Sequence, residues 1–179
     1  MSDNTDRKVV LFIALSLDGY IAGPEEDLSF LSKVEKPGED YGYGSFIETV
    51  DTVIMGRKTY DKVLGFGIPF PHSDKKTYII TRHPKASEGN ITFYGGDLSL
   101  LIRSLKLETG RKIFVDGGAE IVQALLERKL IDELILSFIP CFLGEGVSLF
   151  KPGRPQEDWI LHGSQTFESG LVQVHYSRT

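Results

Sequence analysis

Residues 51–60 read DTVIMGRKTY, and this stretch decides how the rest of the chain is interpreted. Its apolar first half is typical of a buried strand, and residues 57–64 then have the pattern of a helix. Gly56 separates the two and lets backbone approach a ligand closely, while the new helix offers free N–H groups and a positive dipole end. The junction predicts an anion site, most simply for phosphate; the alternative is a plain turn before a solvated helix. Further donors follow the glycine: Arg57, Lys58 and Thr59.

A second junction repeats this design at residues 114–120, FVDGGAE. Two adjacent glycines, Gly117 and Gly118, at the start of a helix let a pyrophosphate lie against bare backbone. A glycine pair alone is a weak signal, and the alternative is a tight turn that needs positive φ. Both junctions are predicted at the carboxyl ends of strands, where ligands bind in parallel sheets.

A third strand end carries an arginine, in residues 79–84, IITRHP. The guanidinium of Arg82 matches the geometry of a phosphate and is suited to gripping a 2′-phosphate. The alternative is an exposed loop arginine, which is the commoner situation for a single residue.

The order of strands and helices predicts the fold class. Strands alternate with helices up to about residue 139, and only strands follow, so we expect an α/β fold with a mostly parallel sheet and an antiparallel C-terminal hairpin. We expect residues 1–7 to form a disordered tail and residues 8–179 a single domain. Strands are predicted at 8–15, 52–55, 77–81, 91–94, 112–115, 133–139, 159–167 and 171–176, and helices at 25–34, 57–64, 98–107 and 119–128.

Composition excludes several functions. The chain has 179 residues, with 20 Lys and Arg against 25 Asp and Glu, so it lacks the basic surplus of a nucleic-acid binder. Its apolar runs are too short to span a bilayer, and the N-terminus has no apolar signal core, so we expect a cytoplasmic protein that binds no membrane.

Cys141 stands alone, which rules out a disulfide framework and a cysteine-rich zinc site, and we expect no metal. His72, His162 and His175 show no ligand spacing.

Five stretches together resemble a known family. The set resembles the dihydrofolate reductase-like superfamily, most closely the branch related to the reductase domain of riboflavin biosynthesis. The stretches occur in the family's order: ALSLDGYIAGPEEDLSFL (14–31), DTVIMGRKTY (51–60), YIITRHP (78–84), KIFVDGGAEIVQALLERKLIDELILSFIP (112–140) and LGEGVSLF (143–150).

The resemblance implies a three-layer α/β/α fold and an NADPH-dependent reductase. The substrate would be a small pteridine or pyrimidine, as in 5-amino-6-(5-phosphoribosylamino)uracil reductase. True dihydrofolate reductase activity and a non-catalytic NADP-binding protein are the alternatives. Small reductases of this branch commonly associate, so we expect a homodimer. The implied cofactor residues are Ala14, Ser16 and Ile21 near the nicotinamide, Gly56, Arg57, Lys58 and Thr59 at the phosphates, Thr81 and Arg82 at the 2′-phosphate, and Gly117, Gly118, Ala119, Glu120 and Ile121 at the pyrophosphate.

Two acidic residues, Asp27 and Asp18, each have two possible roles. Asp27 stands where a folate enzyme keeps its proton-donating carboxylate, although the loop before it is shorter than in those enzymes. A carboxylate in an apolar cleft can have a raised pKa and support proton transfer. The alternative is an exposed acid in the first turn of a helix, where the dipole favours it. Asp18 has the same ambiguity, because an Asp-Gly pair is also turn chemistry.

Overall fold

The strands form most of the framework in the computed structural model, which describes residues 7–179. The closing hairpin and the six strands predicted before it are all present. Two short strands that the sequence did not indicate, β2 and β8, pair with each other. The strands are β1 (Val9–Ser16), β2 (Tyr20–Ala22), β3 (Val50–Gly56), β4 (Lys76–Ile80), β5 (Ile91–Tyr94), β6 (Lys112–Gly117), β7 (Glu133–Ile139), β8 (Val147–Ser148), β9 (Trp159–Thr166) and β10 (Val172–Arg178).

The α-helices connect the strands of the first three-quarters of the chain. They are α1 (Tyr43–Glu48), α2 (Arg57–Leu64), α3 (Leu98–Leu107) and α4 (Ala119–Glu127). Helix α3 begins at Asp97, whose carboxylate accepts a hydrogen bond from the Leu100 N–H at 2.9 Å. Within residues 7–179, no helix is both long and apolar enough to cross a membrane.

Eight strands form one sheet in the order β5-β4-β3-β6-β1-β7-β10-β9. The six strands from β5 to β7 are parallel to one another, whereas β10 is antiparallel to both β7 and β9. This arrangement confirms the mostly parallel sheet and the antiparallel C-terminal hairpin. Strand β1 lies in the middle, between β6 and β7.

Helices cover both faces of the sheet. In β3, Ile54 packs in the apolar cluster that holds Leu101 of α3 and Leu125 of α4. Its neighbours Val53 and Met55 point the other way, into clusters that contain Phe46 of α1 and Tyr60 of α2. Successive side chains of a strand face opposite sides, so this alternation confirms a three-layer α/β/α fold.

The prediction of one continuous helix over residues 25–34 is wrong. Two short 3₁₀ helices, Pro24–Glu26 and Ser29–Val34, occupy the segment. Glu25 has positive φ (+56°), and Asp27 is extended (φ −64°, ψ 128°), so no continuous α-helical hydrogen bonding can run through the segment. The sequence analysis also missed α1. The first residues of this helix belong to residues 36–44, KPGEDYGYG, which are rich in glycine and tyrosine and resemble a loop.

The predicted disordered tail, residues 1–7, lies outside the described residues except for Arg7. That residue is buried, and its guanidinium forms an ion pair with Asp51. It also donates to Thr52 Oγ1 at 2.9 Å and to the Leu105 carbonyl at 3.0 Å. A fully partnered guanidinium therefore fixes the chain immediately before β1.

Candidate functional site

The two glycine junctions lie against each other. Strands β3 and β6 are neighbours in the sheet, so their carboxyl ends bring Gly56 and Gly118 together. A Cβ atom on Gly56 would lie 3.3 Å from Ile121 Cγ1 and 3.9 Å from Gly118 Cα. Any side chain at Gly56 would therefore crowd the start of α4, and the Ile121 side chain fills the space between the two junctions.

Both helices that begin here have open N-termini. Neither Gly56 before α2 nor Gly118 before α4 supplies a side-chain cap, so the first N–H groups lack the usual intramolecular acceptor. Gly117 and Gly118 have φ of +131° and +80°, which residues with a Cβ rarely adopt. Two adjacent N-termini of this kind fit the phosphates of a dinucleotide. Ala119 is partly buried and Glu120 exposed in the first turn of α4.

The donors predicted on α2 have different surroundings. Arg57 donates from Nε to both carboxylate oxygens of Asp61, at 2.8 and 2.9 Å, and its guanidinium carbon lies 5.8 Å from the Phe93 ring centre. Lys58 is exposed. Thr59 faces the other junction, since its Oγ1 would lie 3.3 Å from a Cβ on Gly118.

The third predicted phosphate contact lies at the end of β4. The Thr81 hydroxyl accepts from the His83 N–H at 3.1 Å, which shapes the bend that follows. Arg82 is exposed in that bend. Lys85, which the sequence analysis missed, places its Nζ 4.3 Å from the centre of the Phe93 ring. Arg57 and Lys85 thus bring two positive charges to one aromatic ring, and no local motif around Lys85 could have revealed this.

The residues predicted near the nicotinamide are spread over both faces of β1 and the loop after it. Ala14 packs with the apolar cluster of the second 3₁₀ helix, which includes Phe30. Ile21 packs on the opposite face, against the cluster of α3 and α4. Ser16 is fully buried, and its hydroxyl donates to Asp18 Oδ1 at 2.5 Å.

Asp18 ties two loops together. Its carboxylate accepts from the Ser16 hydroxyl, from the Gly144 N–H at 2.7 Å and from the Leu143 N–H at 3.1 Å. The Ser16 hydrogen bond and these backbone hydrogen bonds hold the pKa of Asp18 below its ordinary value. The carboxylate therefore joins the loop after β1 to the Gly-rich loop of residues 143–146.

Asp27 lies exposed beside an open pocket of about 690 Å³, which residues 24–29 line together with Lys62 and Phe66. Its oxygens accept from the Ser29 hydroxyl at 2.5 Å and the Ser29 N–H at 3.2 Å. These two hydrogen bonds, together with the charge of Lys62, lower the pKa of Asp27. A lowered pKa favours the carboxylate, whereas a proton donor needs a pKa near the working pH.

A different carboxylate lies deeper, on the face of the sheet that α1 covers. Asp116 follows Phe114 on the same face of β6, and its side chain keeps 24% of its surface exposed. Asp116 Oδ2 lies 2.9 Å from Nε2 of His72. We call the region formed by Phe12, Tyr43, His72, Phe114 and Asp116 the acid pocket. Asp116 directly precedes the glycine pair. This position was the one feature of the sequence that indicated a functional role for Asp116.

Tyr43 is a partly buried member of the acid pocket. Its ring meets those of Phe12 and Phe114 edge-on, with centres 5.7 and 6.3 Å away. Burial, followed by the nearby negative charge of Asp116, raises the pKa of Tyr43 to about 12. The phenol therefore keeps its proton at neutral pH. Among residues 7–179 its hydroxyl has no hydrogen-bond partner, so it can serve a ligand as donor or acceptor.

Sequence comparison finds relatives of similar length in Bacillus subtilis. A model described as the RibD C-terminal domain matches residues 70–173, more than half of the chain. YwjB, an uncharacterized protein of Bacillus subtilis (strain 168), is 39% identical over 174 residues, covering 97% of this chain and 99% of YwjB. YyaP from the same organism is 30% identical over 183 residues, covering 95% and 94%.

Solved structures agree with this placement. A crystal structure named "Putative riboflavin biosynthesis protein", from Shewanella sp. PV-4, superposes with a TM-score of 0.86 at 32% identity, covering 96% of this chain and 99% of that one. A diaminohydroxyphosphoribosylaminopyrimidine deaminase/5-amino-6-(5-phosphoribosylamino)uracil reductase from Thermotoga maritima shares the fold, with a TM-score of 0.72 at 14% identity over 98% of this chain and 58% of that one. The predicted resemblance is confirmed, and the chain belongs to the RibD C-terminal domain family, with its reductase-like fold.

Proposed function

We propose that the protein is an NADPH-dependent reductase that transfers hydride to a small heterocycle, of the type reduced by 5-amino-6-(5-phosphoribosylamino)uracil reductase. One juxtaposition carries the proposal. The acid pocket ends at Asp116, and the next two residues are the glycines that open α4. A ligand in the acid pocket would therefore lie beside a ligand held at the two helix N-termini. A reductase needs this adjacency of substrate and cofactor.

The glycine junctions support a dinucleotide as the second ligand. Gly56 and Gly118 leave backbone bare where a Cβ would meet Ile121 or Thr59, and both helices begin without a side-chain cap. The N–H groups at these helix starts would hold the pyrophosphate. Arg57, Arg82 and Lys85 would supply positive charge for the 2′-phosphate. NADPH would supply the hydride when bound. A reductase using this cofactor would work in the cytoplasm, where NADPH is available.

The acid pocket supports a planar, nitrogen-rich substrate. Its partly exposed side chains are Phe12, Tyr43 and Asp116, and edge or face contacts with the two aromatic rings suit a flat heterocycle. Asp116 offers a carboxylate that accepts N–H groups, while the protonated Tyr43 hydroxyl can donate to a ring nitrogen or carbonyl. We assign the substrate-contacting carboxylate to Asp116 and not to Asp27. The oxygens of Asp27 are engaged by Ser29, and its side chain is exposed.

A panel assay tests the proposal. NADPH oxidation is followed with 5-amino-6-(5-phosphoribosylamino)uracil and with dihydrofolate, while NADPH affinity is measured separately by fluorescence. We expect NADPH binding and oxidation with the pyrimidine. Oxidation with dihydrofolate alone would indicate a dihydrofolate reductase, and binding without oxidation a non-catalytic NADP-binding protein. Absence of NADPH binding would refute the proposal.

Two matched variants decide between the carboxylates in the same assay. We expect Asp116→Asn to lower the turnover of the pyrimidine at least about ten-fold, because a charged hydrogen bond to the substrate is lost. Asp27→Asn removes the same charge from an exposed position, and we expect a change of less than about three-fold. The reverse order would restore Asp27 as the catalytic acid.

The C-terminal hairpin supports a homodimer. Strand β9 has no partner on its outer side among the described residues, and residues 160–166 are all exposed. Ile160 and Leu161 each leave half of their surface in solvent. Open, apolar sheet edges are a risk for aggregation unless another chain covers them. We propose that a second copy of the chain covers β9.

A further inference from the structure

His72 is a buried polar residue with one polar side-chain contact. It is 1% exposed and lies between α2 and β4. Nε2 lies 2.9 Å from Asp116 Oδ2, while Nδ1 is buried without a hydrogen-bond partner. The rings of Phe70 and Phe114 meet the imidazole edge-on, with centres 5.6 and 6.0 Å away. An apolar side chain would fill such a place without the cost of burying an unpaired nitrogen, so packing alone does not account for a histidine here.

Hydrogen bonds also hold the backbone of His72 in place. The His72 carbonyl accepts from the Asn90 side-chain amide at 2.9 Å and from the Lys75 N–H at 3.0 Å. The Asn90 amide also donates to the Lys75 carbonyl. The loop that carries the imidazole is thus fastened to the residue preceding β5. A ring fixed at both backbone and side chain can hold a partner in one orientation.

The two oxygens of Asp116 differ in their surroundings. Oδ2 contacts Nε2 of the His72 imidazole, whereas Oδ1 has no hydrogen-bond partner among residues 7–179. The side chain remains partly exposed. To donate to a carboxylate, the imidazole must carry a proton on Nε2. In this arrangement the hydrogen bond occupies one oxygen and leaves the other free for a ligand.

We propose that His72 is a positioning residue, which holds Asp116 through the Nε2–H···Oδ2 hydrogen bond so that Oδ1 accepts an N–H group of a heterocycle in the acid pocket. The inference rests on the proposed function and adds to it the group that orients the substrate-binding carboxylate. Without His72, Asp116 is free to rotate about its side-chain bonds within an aromatic environment. Restricting that rotation lowers the entropy cost of binding.

Binding of 2,4-diaminopyrimidine, a planar probe with an N–H donor edge, tests the inference by calorimetry. We expect His72→Leu to weaken probe binding about ten-fold or more, since a charged hydrogen bond loses its orientation. His72→Gln should restore binding to within about three-fold of the wild type, because its amide N–H can reach Oδ2. NADPH affinity should be the same in all three proteins. His175→Leu is the matched control and should leave both affinities unchanged.

Imidazole NMR supplies a readout that a purely structural role would not change. Long-range ¹H–¹⁵N spectra should show His72 of the free wild-type protein with its proton on Nε2, and Asp116→Asn should shift that signal. A proton on Nδ1 and none on Nε2, equal probe binding in wild type and His72→Leu, or a wild-type protein that binds NADPH but not the probe would each overturn the inference. Loss of NADPH binding by the wild type would instead overturn the proposed function.

Discussion

A Cβ atom on Gly118 would lie 3.3 Å from Oγ1 of Thr59, so the glycine that opens α4 is in near contact with the first turn of α2. This spacing is tighter than ordinary van der Waals contact with a Cβ. The two helix starts therefore form one continuous backbone surface, and the absence of a side chain at residue 118 keeps that surface open.

We predict that Gly118→Ala weakens NADPH binding at least about ten-fold. The new methyl group would crowd Thr59 Oγ1 beside the proposed pyrophosphate position, and φ of +80° with ψ of 116° is a backbone conformation that residues with a Cβ rarely adopt. Gly153→Ala is the control, since φ is +87° there and a Cβ would have no atom within 4 Å. Both variants should lose thermal stability, Gly118→Ala the more because of the contact with Thr59, and fluorescence titration should show a loss of NADPH affinity for Gly118→Ala alone. Equal NADPH affinities would contradict the assignment of the glycine pair.

Selectivity for NADPH over NADH should depend on the basic residues around β4 and β5. We predict that Arg82→Ala and Arg57→Ala each weaken NADPH binding by about ten- to a hundred-fold, because a charged hydrogen bond to the 2′-phosphate is lost. NADH binding should barely change, since NADH lacks that phosphate. Titration of both cofactors into each variant measures the effect. Equal losses for the two cofactors would mean that the arginines support the fold or the pyrophosphate.

Lys85→Ala tests the contribution that only the structure revealed. Lys85 and Arg57 both lie over Phe93, so a 2′-phosphate at this ring would meet both charges. We predict that Lys85→Ala weakens NADPH binding roughly five-fold and leaves NADH binding unchanged. Lys151→Ala serves as the control, because Lys151 is exposed and follows β8, outside the proposed cofactor residues. The same two titrations give the answer, and an effect on NADH would place Lys85 elsewhere in the site.

The hydrogen bonds to Asp18 should make part of the stability depend on pH. The pKa of Asp18 is lowered in the folded protein, so its stabilising contribution is complete above the ordinary value of about 3.9. That contribution is lost as the pH falls through the lowered folded value. We therefore expect Asp18→Asn to lower the Tm at pH 7, and the difference from the wild-type Tm to shrink as the pH falls below the ordinary value of about 3.9. Glu145→Gln, which removes a charge from the adjoining loop, should show no such convergence in thermal melts.

The proposed dimer makes a prediction about β9. We expect sedimentation at micromolar concentration to show a species of twice 20.0 kDa, the mass of one chain. Leu161→Lys should give a monomer, because a charge would enter the covered edge. Leu107→Lys, at a residue that is 82% exposed at the end of α3, should leave the dimer intact. A wild-type species of 20.0 kDa would reject the dimer.

Much of the fold was predictable because its signals are local. Buried parallel strands are continuous apolar runs, as in residues 113–115, and Asp97 is a typical helix N-cap, so these elements were predicted correctly. The segment from residue 24 to 34 was not, because Pro24 and the positive φ of Glu25 interrupt a pattern that otherwise resembles a helix. Strands β2 and β8 escaped prediction because their pairing joins distant residues and each is very short.

The candidate site also has one part that local sequence patterns indicated and one part that they did not. Gly56 and Gly118 are marked by strand–glycine–helix patterns, which explains why the sequence indicated the cofactor side. The acid pocket has no such pattern: His72 reaches Asp116 across 44 positions of the chain, and only the folded backbone brings them together. The catalytic role of Asp27 and the roles of the predicted cofactor residues stay predictions, and the variants above test those of Asp27, Arg57, Arg82 and Gly118.

The central place of β1 has a consequence for how the protein is made. Its eight residues, VVLFIALS, pair with β6 and β7, where Val9 lies opposite Ile113 and Val10 opposite Glu133. During synthesis this apolar segment leaves the ribosome long before either partner strand exists. It must wait unpaired, and late, non-local pairing slows folding and exposes the chain to aggregation. Nascent chains that end before β7 should therefore depend on chaperones in a way that the finished protein does not.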